Sequence, residues 1–573
     1  MTAPMTETYV MAFGPDPSQS AVIAEKWNKK ITVSAGPGTG KSYTAALRVA
    51  EVLRQLSEIP EQAESSVVCL TFTNSATDVT ADRLRKLGIF SGVDVRTIDS
   101  WSLSLRRSAN QEVDFNQGYE AGIDSLVETI RSTSNFQLPT EISHIVVDEA
   151  QDIYGVRRTL LELLLERGLI EGWTVLGDVA QAVYEYDSAD DEVSFLEDVI
   201  IGGKFDETFE LSTDHRSTNP NRSLGNELRS LTPSKQGIDA VWDEYQGLNV
   251  MTVGQLSAAV EGYNNSGQSV GILLRNNRQL LGLSQKLSEM SIGHQTSLDA
   301  RLALLPAWLA ELDGVTYKDE AMSAAPSYVD SDALSRLFER WSQGGQAKRF
   351  SVERFSNDLR NRKVPQVLLT RDPEIVSLST IHRAKGLEYQ KVIVGMNRDF
   401  DKSEIQEKQE ARLLFVALTR SRGPVIRLDL EGLKLRSSVN KKHKRWVDLE
   451  FRGKNPVNAG LEVKMSDFSF LRQPTRMQIG DPVVVRPFRR VDQGTLIFGA
   501  YEVDNADPFA SLSLDFSAAV QEIFKNKEIV EFVGLYVSGF LSVVVPNNSN
   551  KWSQRFLAKV PCITGMVRIA EKE

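Results

Sequence analysis

The chain has 573 residues, which is enough for three or four domains with buried cores. Apolar residues make up 41% and charged residues 25%, as in soluble globular proteins, and no apolar run approaches the roughly 18 residues of a membrane span. The net charge of -10 argues against a protein that coats nucleic acid through bulk charge.

Two further features bear on where the protein works. Cys69 and Cys562 are too few for a zinc cluster or a disulfide framework, which favours a reducing compartment. Residues 1–14 contain no basic segment followed by an apolar core, so we expect no secretory signal. We therefore expect a cytoplasmic protein with no membrane contact, associated with the nucleoid in a bacterium.

The first part of the chain alternates short β-branched runs with amphipathic stretches. This alternation predicts an α/β fold with a parallel sheet that binds ligands at the carboxyl ends of its strands. Strands are predicted at 31–34, 67–72, 144–147 and 174–177, with helices at 43–56 and 76–87.

The pattern resumes later in the chain, which predicts a second parallel sheet of the same kind. After residue 423 it changes to short strand-like runs, which predict a β-rich C-terminal module. The later strands are predicted at 270–274, 375–378 and 392–395, and those of the module at 482–486, 496–501 and 542–545.

A glycine-rich loop follows the first predicted strand and opens the first predicted helix, the context that a phosphate-binding loop requires. Its glycines let the backbone N–H groups face phosphate oxygens, while Lys41 would reach the β- and γ-phosphates and Ser42 would ligate Mg²⁺. Ala35 stands where the first glycine is usual. The loop consists of Ala35, Gly36, Pro37, Gly38, Thr39, Gly40, Lys41 and Ser42.

An acidic pair follows the apolar run 145–147 at the end of the third predicted strand. We assign Asp148 to the metal and Glu149 to the general base that activates water. Alone, this segment could be an acidic loop. Together with the phosphate loop, it predicts hydrolysis of a nucleoside triphosphate, with ATP and Mg²⁺ as cofactors.

Further motifs follow in a fixed order along the chain, at 16–19, 70–74, 97–100, 177–184, 211–217, 380–389 and 413–420. In sequence and order they resemble the superfamily 1 helicases of the UvrD/Rep/PcrA type over residues 19–420. The resemblance implies two RecA-like domains with ATP between them. It also implies ATP contacts by Gln19 to adenine, His215 in place of a stacking tyrosine, Glu388 to ribose, Gln181 to the γ-phosphate, and Arg216 and Arg420 as arginine fingers.

The resemblance also implies a track of single-stranded DNA, although no residue excludes RNA. Asp99 stands where the family commonly has histidine, and its charge would repel phosphates. Near the fourth motif Asp187 replaces an expected arginine, which weakens one DNA contact. The implied DNA contacts are Thr71, Phe72, Thr73, Asn74, Thr97, Ser100, Tyr184, Thr380 and His382.

The implied domains are a first RecA-like domain over 1–202, a second over 203–430, and a β-rich accessory domain over 431–573. The first would carry a reduced 1B insertion at about 105–140 and the second a reduced 2B insertion at about 280–370. The resemblance implies a 3′–5′ translocase or helicase in DNA repair, recombination or defence against foreign DNA. Small insertions favour translocation over unwinding.

The alternative is a nucleic-acid-gated ATPase subunit that recruits or licenses a partner, such as a nuclease, through the C-terminal module. From residue 431 to the end the chain carries 21 Lys and Arg against 16 Asp and Glu, so this part alone is basic. Its basic cluster is either a solvated turn or a phosphate-contacting patch. The cluster consists of Lys434, Arg436, Lys441, Lys442, Lys444 and Arg445.

Overall fold

A computed structural model gives the structure of most of the chain. The described residues are 14–62, 66–72, 74–89, 91–108, 118–138, 141–183, 194–216, 235–264, 266–296, 305–344, 348–361, 365–369, 375–398, 404–431, 433, 437–440, 445–452, 455–474, 476–491, 495–523, 531–544, 556–563 and 565–569. Within this part, no helix is both long and apolar enough to cross a membrane.

The chain forms two compact units, each assembled from separate segments. The first unit comprises Met1–Gly247, Lys385–Glu388 and Arg398–Pro424. The second comprises Leu248–Ala384, Tyr389–Asn397 and Val425–Glu573. The domain limits at 202 and 430 stay predictions. The two units have other limits, because each combines segments from separate parts of the chain.

The first unit is built on a six-stranded parallel sheet in the order β3-β2-β4-β5-β1-β6. Every residue of β4 and of β5 is buried because helices cover both faces of the sheet. Along β4, Ile145 and Val147 pack into one core and Val146 into the core on the other face. The strands are β1 (Lys30–Ala35), β2 (Ser66–Thr71), β3 (Val93–Thr97), β4 (Ile142–Val147), β5 (Gly172–Gly177) and β6 (Glu207–Leu211).

The second unit holds two larger sheets. The first is a six-stranded parallel sheet in the order β7-β15-β14-β8-β13-β9. Its strands are β7 (Val250–Thr252), β8 (Val270–Leu274), β9 (Gln295–Thr296), β13 (Ser377–Thr380), β14 (Lys391–Gly395) and β15 (Val425–Asp429). A two-stranded pair, β11 (Ser342–Gln343) and β12 (Arg349–Phe350), stands apart from both sheets.

The C-terminal sheet is antiparallel and has eleven strands among the described residues, in the order β16-β17-β18-β25-β23-β20-β21-β22-β19, with β10 and β24 also paired to β23. Its strands are β10 (Leu305–Pro306), β16 (Ser437–Asn440), β17 (Arg445–Arg452), β18 (Asn455–Val463), β19 (Phe468–Phe470), β20 (Pro482–Val491), β21 (Thr495–Glu502), β22 (Ala510–Leu512), β23 (Phe532–Val544), β24 (Leu557–Ile563) and β25 (Gly565–Ile569). These sheets confirm the expected fold class, two parallel α/β sheets followed by a β-rich module.

The insertion before β13 and the C-terminal sheet share one core. Leu305 of β10 pairs with Ser542 of β23, and Leu557 of β24 packs among the apolar side chains of the insertion. Trp308 and Trp341 belong to the same cluster, so they are core residues. The predicted 2B insertion and the predicted C-terminal domain are therefore continuous within the second unit.

The start of the first helix follows from its local sequence. Asp16 accepts hydrogen bonds from the backbone N–H groups of Ser18 and Gln19 and starts α1, whose first residue is Pro17. The helices are α1 (Pro17–Ala24), α2 (Lys41–Ser57), α3 (Asn74–Lys86), α4 (Ile98–Ser108), α5 (Gly118–Ser132), α6 (Gly155–Glu166), α7 (Phe195–Ile201), α8 (Lys235–Gly247), α9 (Val253–Asn264), α10 (Asn277–Glu289), α11 (Lys318–Ser323), α12 (Ser331–Glu339), α13 (Val352–Asn361), α14 (Glu404–Leu418) and α15 (Leu514–Ile523).

Candidate nucleotide-binding site

The glycine-rich loop joins β1 to α2 at the carboxyl edge of the first sheet. Gly38 and Gly40 have φ angles of 78° and 75°, in the left-handed region that a side chain disfavours. A Cβ atom on Gly40 would lie 2.6 Å from the Gln19 side-chain nitrogen. The two glycines are therefore required by backbone conformation, and Gly40 also by close packing.

Ala35, the departure from the usual glycine, lies inside the strand. It is the last residue of β1 and pairs in register with Leu211 of β6. Because this backbone is extended, the position needs no left-handed conformation. The substitution leaves the turn itself unchanged, since the turn begins at Gly36.

Lys41 is the first residue of α2 and is buried, with its side chain 9% exposed. Its ammonium group lies 3.1 Å from a carboxylate oxygen of Glu149. Burial alone would lower the pKa of Lys41, but the charges of Glu149, Asp148 and Asp178 outweigh burial and raise it. Lys41 therefore stays positively charged among three acidic side chains.

Asp148 and Glu149 follow β4, one strand removed from β1. Burial and the neighbouring charge of Glu149 raise the pKa of Asp148, while a hydrogen bond with Ser42 opposes the rise. The side-chain hydroxyl of Ser42 and the carboxylate of Asp148 are thus adjacent. Oxygen ligands of this kind suit Mg²⁺, which takes its other ligands from phosphates and water.

Among the described residues, no group of three or more His, Cys, Asp or Glu side chains could hold a metal ion. As the predicted ligands, Ser42 and Asp148 would supply two oxygen atoms, so a Mg²⁺ ion here would depend on the nucleotide and water for the rest of its coordination. The Mg²⁺ site stays a prediction.

Glu149 is held in place by its neighbours. Its φ angle is 56°, an unusual value for a residue with a side chain. Its carboxylate accepts hydrogen bonds from Lys41 and from the side-chain amide of Gln151. Burial would raise the pKa of Glu149, but the charges of Lys41 and Lys385 lower it to about 2. Glu149 is therefore ionised, as a general base must be.

Gln181 lies between the carboxylate and arginine sides of the site. Its side-chain nitrogen donates to Asp178 at 2.8 Å, and its side-chain oxygen accepts from Arg420 at 2.9 Å. Arg420 follows α14, is 3% exposed, and also donates to the Val416 carbonyl at 3.0 Å. Burial, with the nearby charge of Arg216, lowers the pKa of Arg420 to about 10, which leaves it cationic at neutral pH.

Arg216 and Glu388 form an ion pair of 2.6 Å. Arg216 also donates to the Thr419 carbonyl at 3.4 Å. Burial would raise the pKa of Glu388, but Arg216 and Arg422 lower it to about 2. Both proposed arginine fingers and the proposed ribose ligand thus belong to the first unit, with the phosphate loop.

Gln151, Asp152 and Lys385 complete the site, although their sequence context predicted no role for them. Gln151 accepts the Asp178 N–H at 3.0 Å while it donates to Glu149. Lys385 donates to Asp152 and to the Gln181 carbonyl, at 2.6 and 2.8 Å. Burial raises the pKa of Asp152 to about 6, and Lys385 limits that rise. All three lie in the motifs or directly beside the acidic pair, so the motifs themselves were the available signal.

The adenine side of the predicted site is organised by Asp16. Gln19 is 1% exposed and donates to the Thr39 carbonyl at 3.0 Å, while its oxygen accepts the Asp16 N–H at 3.1 Å. His215 Nε2 lies 2.8 Å from the Asp16 carboxylate, and its backbone N–H donates to the Gly38 carbonyl at 2.9 Å. Gln19 and His215 are thus both tied to the phosphate loop.

Two family models match segments of the chain. Residues 18–187 match an AAA domain, and residues 376–426 match the UvrD-like helicase C-terminal domain. Together the two matched segments indicate a UvrD/Rep-like superfamily 1 helicase. The AAA domain implies the use of ATP, and the resemblance drawn from the motifs is confirmed. Comparison with curated proteins finds no significant match.

The helicase motifs predicted to contact DNA lie at strand ends. In the first unit Thr71 and Thr97 pair in register at the carboxyl ends of β2 and β3. Thr71 is 1% exposed and shares a hydrogen bond with the Thr77 hydroxyl at 2.7 Å. Thr97 accepts the Ser100 N–H at 3.2 Å, which begins α4. Ser100 is exposed and Thr97 is half-buried, so Ser100 is the more accessible of these two residues.

For the remaining predicted DNA contacts, the structure gives mainly the position in the chain and the burial, and some of them lie outside the described residues. Phe72 directly follows β2 and is half-buried, whereas Asn74 begins α3. In the second unit Thr380 ends β13, 6% exposed, and His382 begins the short turn His382–Ala384. Thr73, Tyr184 and Asp187 lie outside the described residues, as do Lys434, Arg436, Lys441, Lys442 and Lys444, while Arg445 begins β17.

Asp99, the acid in place of the family's histidine, is paired within the protein. Its two carboxylate oxygens accept hydrogen bonds from Arg157 at 2.7 and 3.2 Å. Arg157 also donates to Glu120 on α5 at 3.1 Å. The pairing offsets the negative charge that would otherwise repel a phosphate beside Thr97.

Proposed function

We propose that this helicase hydrolyses ATP and moves 3′ to 5′ along single-stranded DNA. The observation that carries the proposal is one network of hydrogen bonds and ion pairs that joins the phosphate loop to Arg420, one of the two arginine candidates. It runs from Lys41 through Glu149 and Gln151 to Asp178, and on through Gln181 to Arg420. A change in the contacts of Lys41 on nucleotide binding would therefore alter the contacts of Arg420.

The chemical step follows from the charges of these residues. A bound triphosphate would compete with Glu149 for Lys41, because the triphosphate as a whole carries more negative charge than one carboxylate. Glu149, released and ionised, can then accept a proton from the attacking water. Ser42 and Asp148 would hold Mg²⁺, which polarises the phosphates and neutralises charge on them. Arg216 and Arg420 would stabilise the charge that develops on the γ-phosphoryl group.

Coupling to DNA is the second part of the proposal. Thr71 and Thr97 lie at the same edge of the first sheet as Asp148, because all three end parallel strands of that sheet. A shift of β2 or β4 on hydrolysis would move these positions together. The 3′–5′ polarity and the preference for DNA rest on the family resemblance. The proposed setting is repair, recombination or defence, in the cytoplasm.

The test has two arms. The first compares ATP turnover with matched DNA and RNA oligonucleotides, and we expect the DNA to stimulate more strongly. The second measures displacement of streptavidin from oligonucleotides that carry biotin at one end. Faster displacement from the 5′ end supports 3′–5′ movement, because a motor that moves 3′ to 5′ arrives there. Equal, slow displacement from both ends would contradict directed movement.

The alternative function is an ATPase that licenses a partner through the C-terminal module, and the basic charge balance of residues 431–573 motivates it. The module shares a core with the insertion that precedes β13, which makes it an integral part of the second unit. Deleting it would expose Leu305 and its neighbours, so truncation is not a clean experiment. DNA-stimulated ATP turnover without streptavidin displacement in the full chain would support this alternative.

A further inference from the structure

Glu388 is shared by two arginines that approach different oxygen atoms. Arg216 contacts Oε1 at 2.6 Å, whereas Arg422 contacts Oε2 through its Nε at 3.0 Å and a terminal nitrogen at 2.5 Å. Arg216 is the candidate finger. Arg422 lies beyond the last helicase motif and has no role in the proposal above.

The three side chains are largely enclosed. Arg216 is 18% exposed, Glu388 30% and Arg422 32%. Arg420 adds a third positive charge near Glu388. In such surroundings an ion pair that loses one partner leaves an uncompensated charge, which is strongly unfavourable. The second arginine on Glu388 therefore has an energetic consequence for the first.

We propose that Arg422 is a positioning residue that holds Glu388 so that Arg216 can exchange Glu388 for the γ-phosphoryl group. This inference rests on the proposed ATP hydrolysis. When Arg216 turns to the phosphate, Glu388 keeps its contacts with Arg422, since these use the other oxygen atom. Without Arg422, Glu388 would have to give up Arg216 and stay unpaired, so Arg216 would be retained.

Arg216 has little else to hold it in place among its described contacts. Its hydrogen bond to the Thr419 carbonyl is long, at 3.4 Å, so the ion pair with Glu388 is the stronger contact. The strength of that ion pair decides how readily Arg216 moves. Arg422 weakens the hold of Glu388 on Arg216 by sharing its charge.

The experiment is a double-mutant cycle measured by steady-state ATP turnover on saturating single-stranded DNA. Arg422→Gln should lower kcat about tenfold with KM for ATP nearly unchanged, because the ground-state pairing of Arg216 is strengthened. Arg422→Lys, which keeps the charge, should recover part of the loss. In a Glu388→Gln background, Arg422→Gln should change kcat less than about twofold, since the carboxylate that it acts through is gone.

A loss of equal size in the wild-type and Glu388→Gln backgrounds would overturn the inference, as would an unchanged kcat in Arg422→Gln. Arg54→Gln, which removes an exposed ion-paired arginine on α2, is the matched control and should leave turnover unchanged. Thermal unfolding of each variant separates folding defects from the kcat effect. If the wild-type chain shows no ATP turnover, the proposed function has failed, which is a different result from a cycle without coupling.

Discussion

The two parallel sheets of this protein have six strands each among the described residues, but they differ in the turn that follows one of their inner strands. In the first sheet β1 leads into the glycine-rich loop, and Gly40, directly before α2, provides no side chain to cap the first turn of the helix. In the second sheet β8 leads into Asn276, whose side chain accepts the Gln279 N–H at 3.0 Å and caps α10. The same strand-to-helix connection thus ends in two chemically different helix starts.

The difference shows that the fold alone does not make a phosphate site. The N–H groups of the first turn are available to a phosphate only where no side chain occupies them. The first unit also places the charged side chains of Lys41, Asp148 and Glu149 beside this turn, the residues predicted to act on a triphosphate. In the second sheet the equivalent turn is closed by its own side chains.

The largest effect on ATP turnover is expected from removing Lys41, the lysine that follows the glycine-rich loop of the first unit. Lys41→Ala should reduce ATP turnover by at least about a hundredfold, since the substitution removes the positive charge that faces the phosphates. Lys391→Ala is the matched control, because Lys391 lies in the second sheet with its ammonium group 4.6 Å from the Tyr263 ring. Turnover is measured by phosphate release. Activity within tenfold of wild type in Lys41→Ala would contradict the assignment.

The second prediction separates binding from chemistry within the first sheet. Glu149→Gln should abolish turnover, because an amide cannot take a proton from water, yet ATP should still bind. Fluorescence titration with a labelled ATP analogue measures the binding, and phosphate release measures the chemistry. Glu289→Gln, at an exposed position on α10, serves as the control. Substantial turnover in Glu149→Gln would remove Glu149 from the role of general base.

The third prediction compares buried histidines of the two units. Burial, with the charge of Arg48, lowers the pKa of His144 on β4 to about 3, and burial lowers the pKa of His294 to about 4. Each is neutral when folded but takes up a proton near pH 6.5 when unfolded. Stability is therefore complete above about pH 6.5 and is lost as the pH falls toward the folded pKa values.

At pH 5 each histidine should lower the free energy of unfolding by about 2 kcal/mol relative to pH 7. Urea unfolding at both pH values measures this loss. His144→Gln and His294→Gln should each show a smaller loss than wild type between the two pH values, whatever their stability at pH 7. An unchanged pH dependence in both variants would show that these residues are not responsible.

The smallest expected effect concerns the capped turn of the second sheet. Asn276→Ala removes the cap of α10 and should lower the free energy of unfolding by about 1 kcal/mol. ATP turnover per folded molecule should stay the same, because the second-sheet turn has no phosphate role. Urea unfolding and phosphate release measure the two quantities. A large loss of turnover at unchanged stability would mean that this turn does take part in nucleotide use.

Local pattern predicted the buried central strands of both parallel sheets and the first two long helices after the phosphate loop. The strand predicted at 270–274 coincides with β8, and the helix predicted at 43–56 lies within α2. The strands β6 and β7 were not predicted, because they are short and nearly all of their residues are partly or fully exposed. Edge strands of this kind are recognised by their pairing partner, which a local pattern does not contain.

The residues of the candidate site also fall into those that the sequence predicted and those that only the folded structure identified. The proposed chemistry could be inferred from the chain alone, since the phosphate loop, the acidic pair and the ordered motifs are short segments whose residue types indicate their roles. The pairing of residues distant in the chain, such as Lys385 with Asp152 and Arg422 with Glu388, became known from the folded structure. Such pairs depend on how helices and strands pack, because many charged residues could pair by charge alone and only packing selects among them.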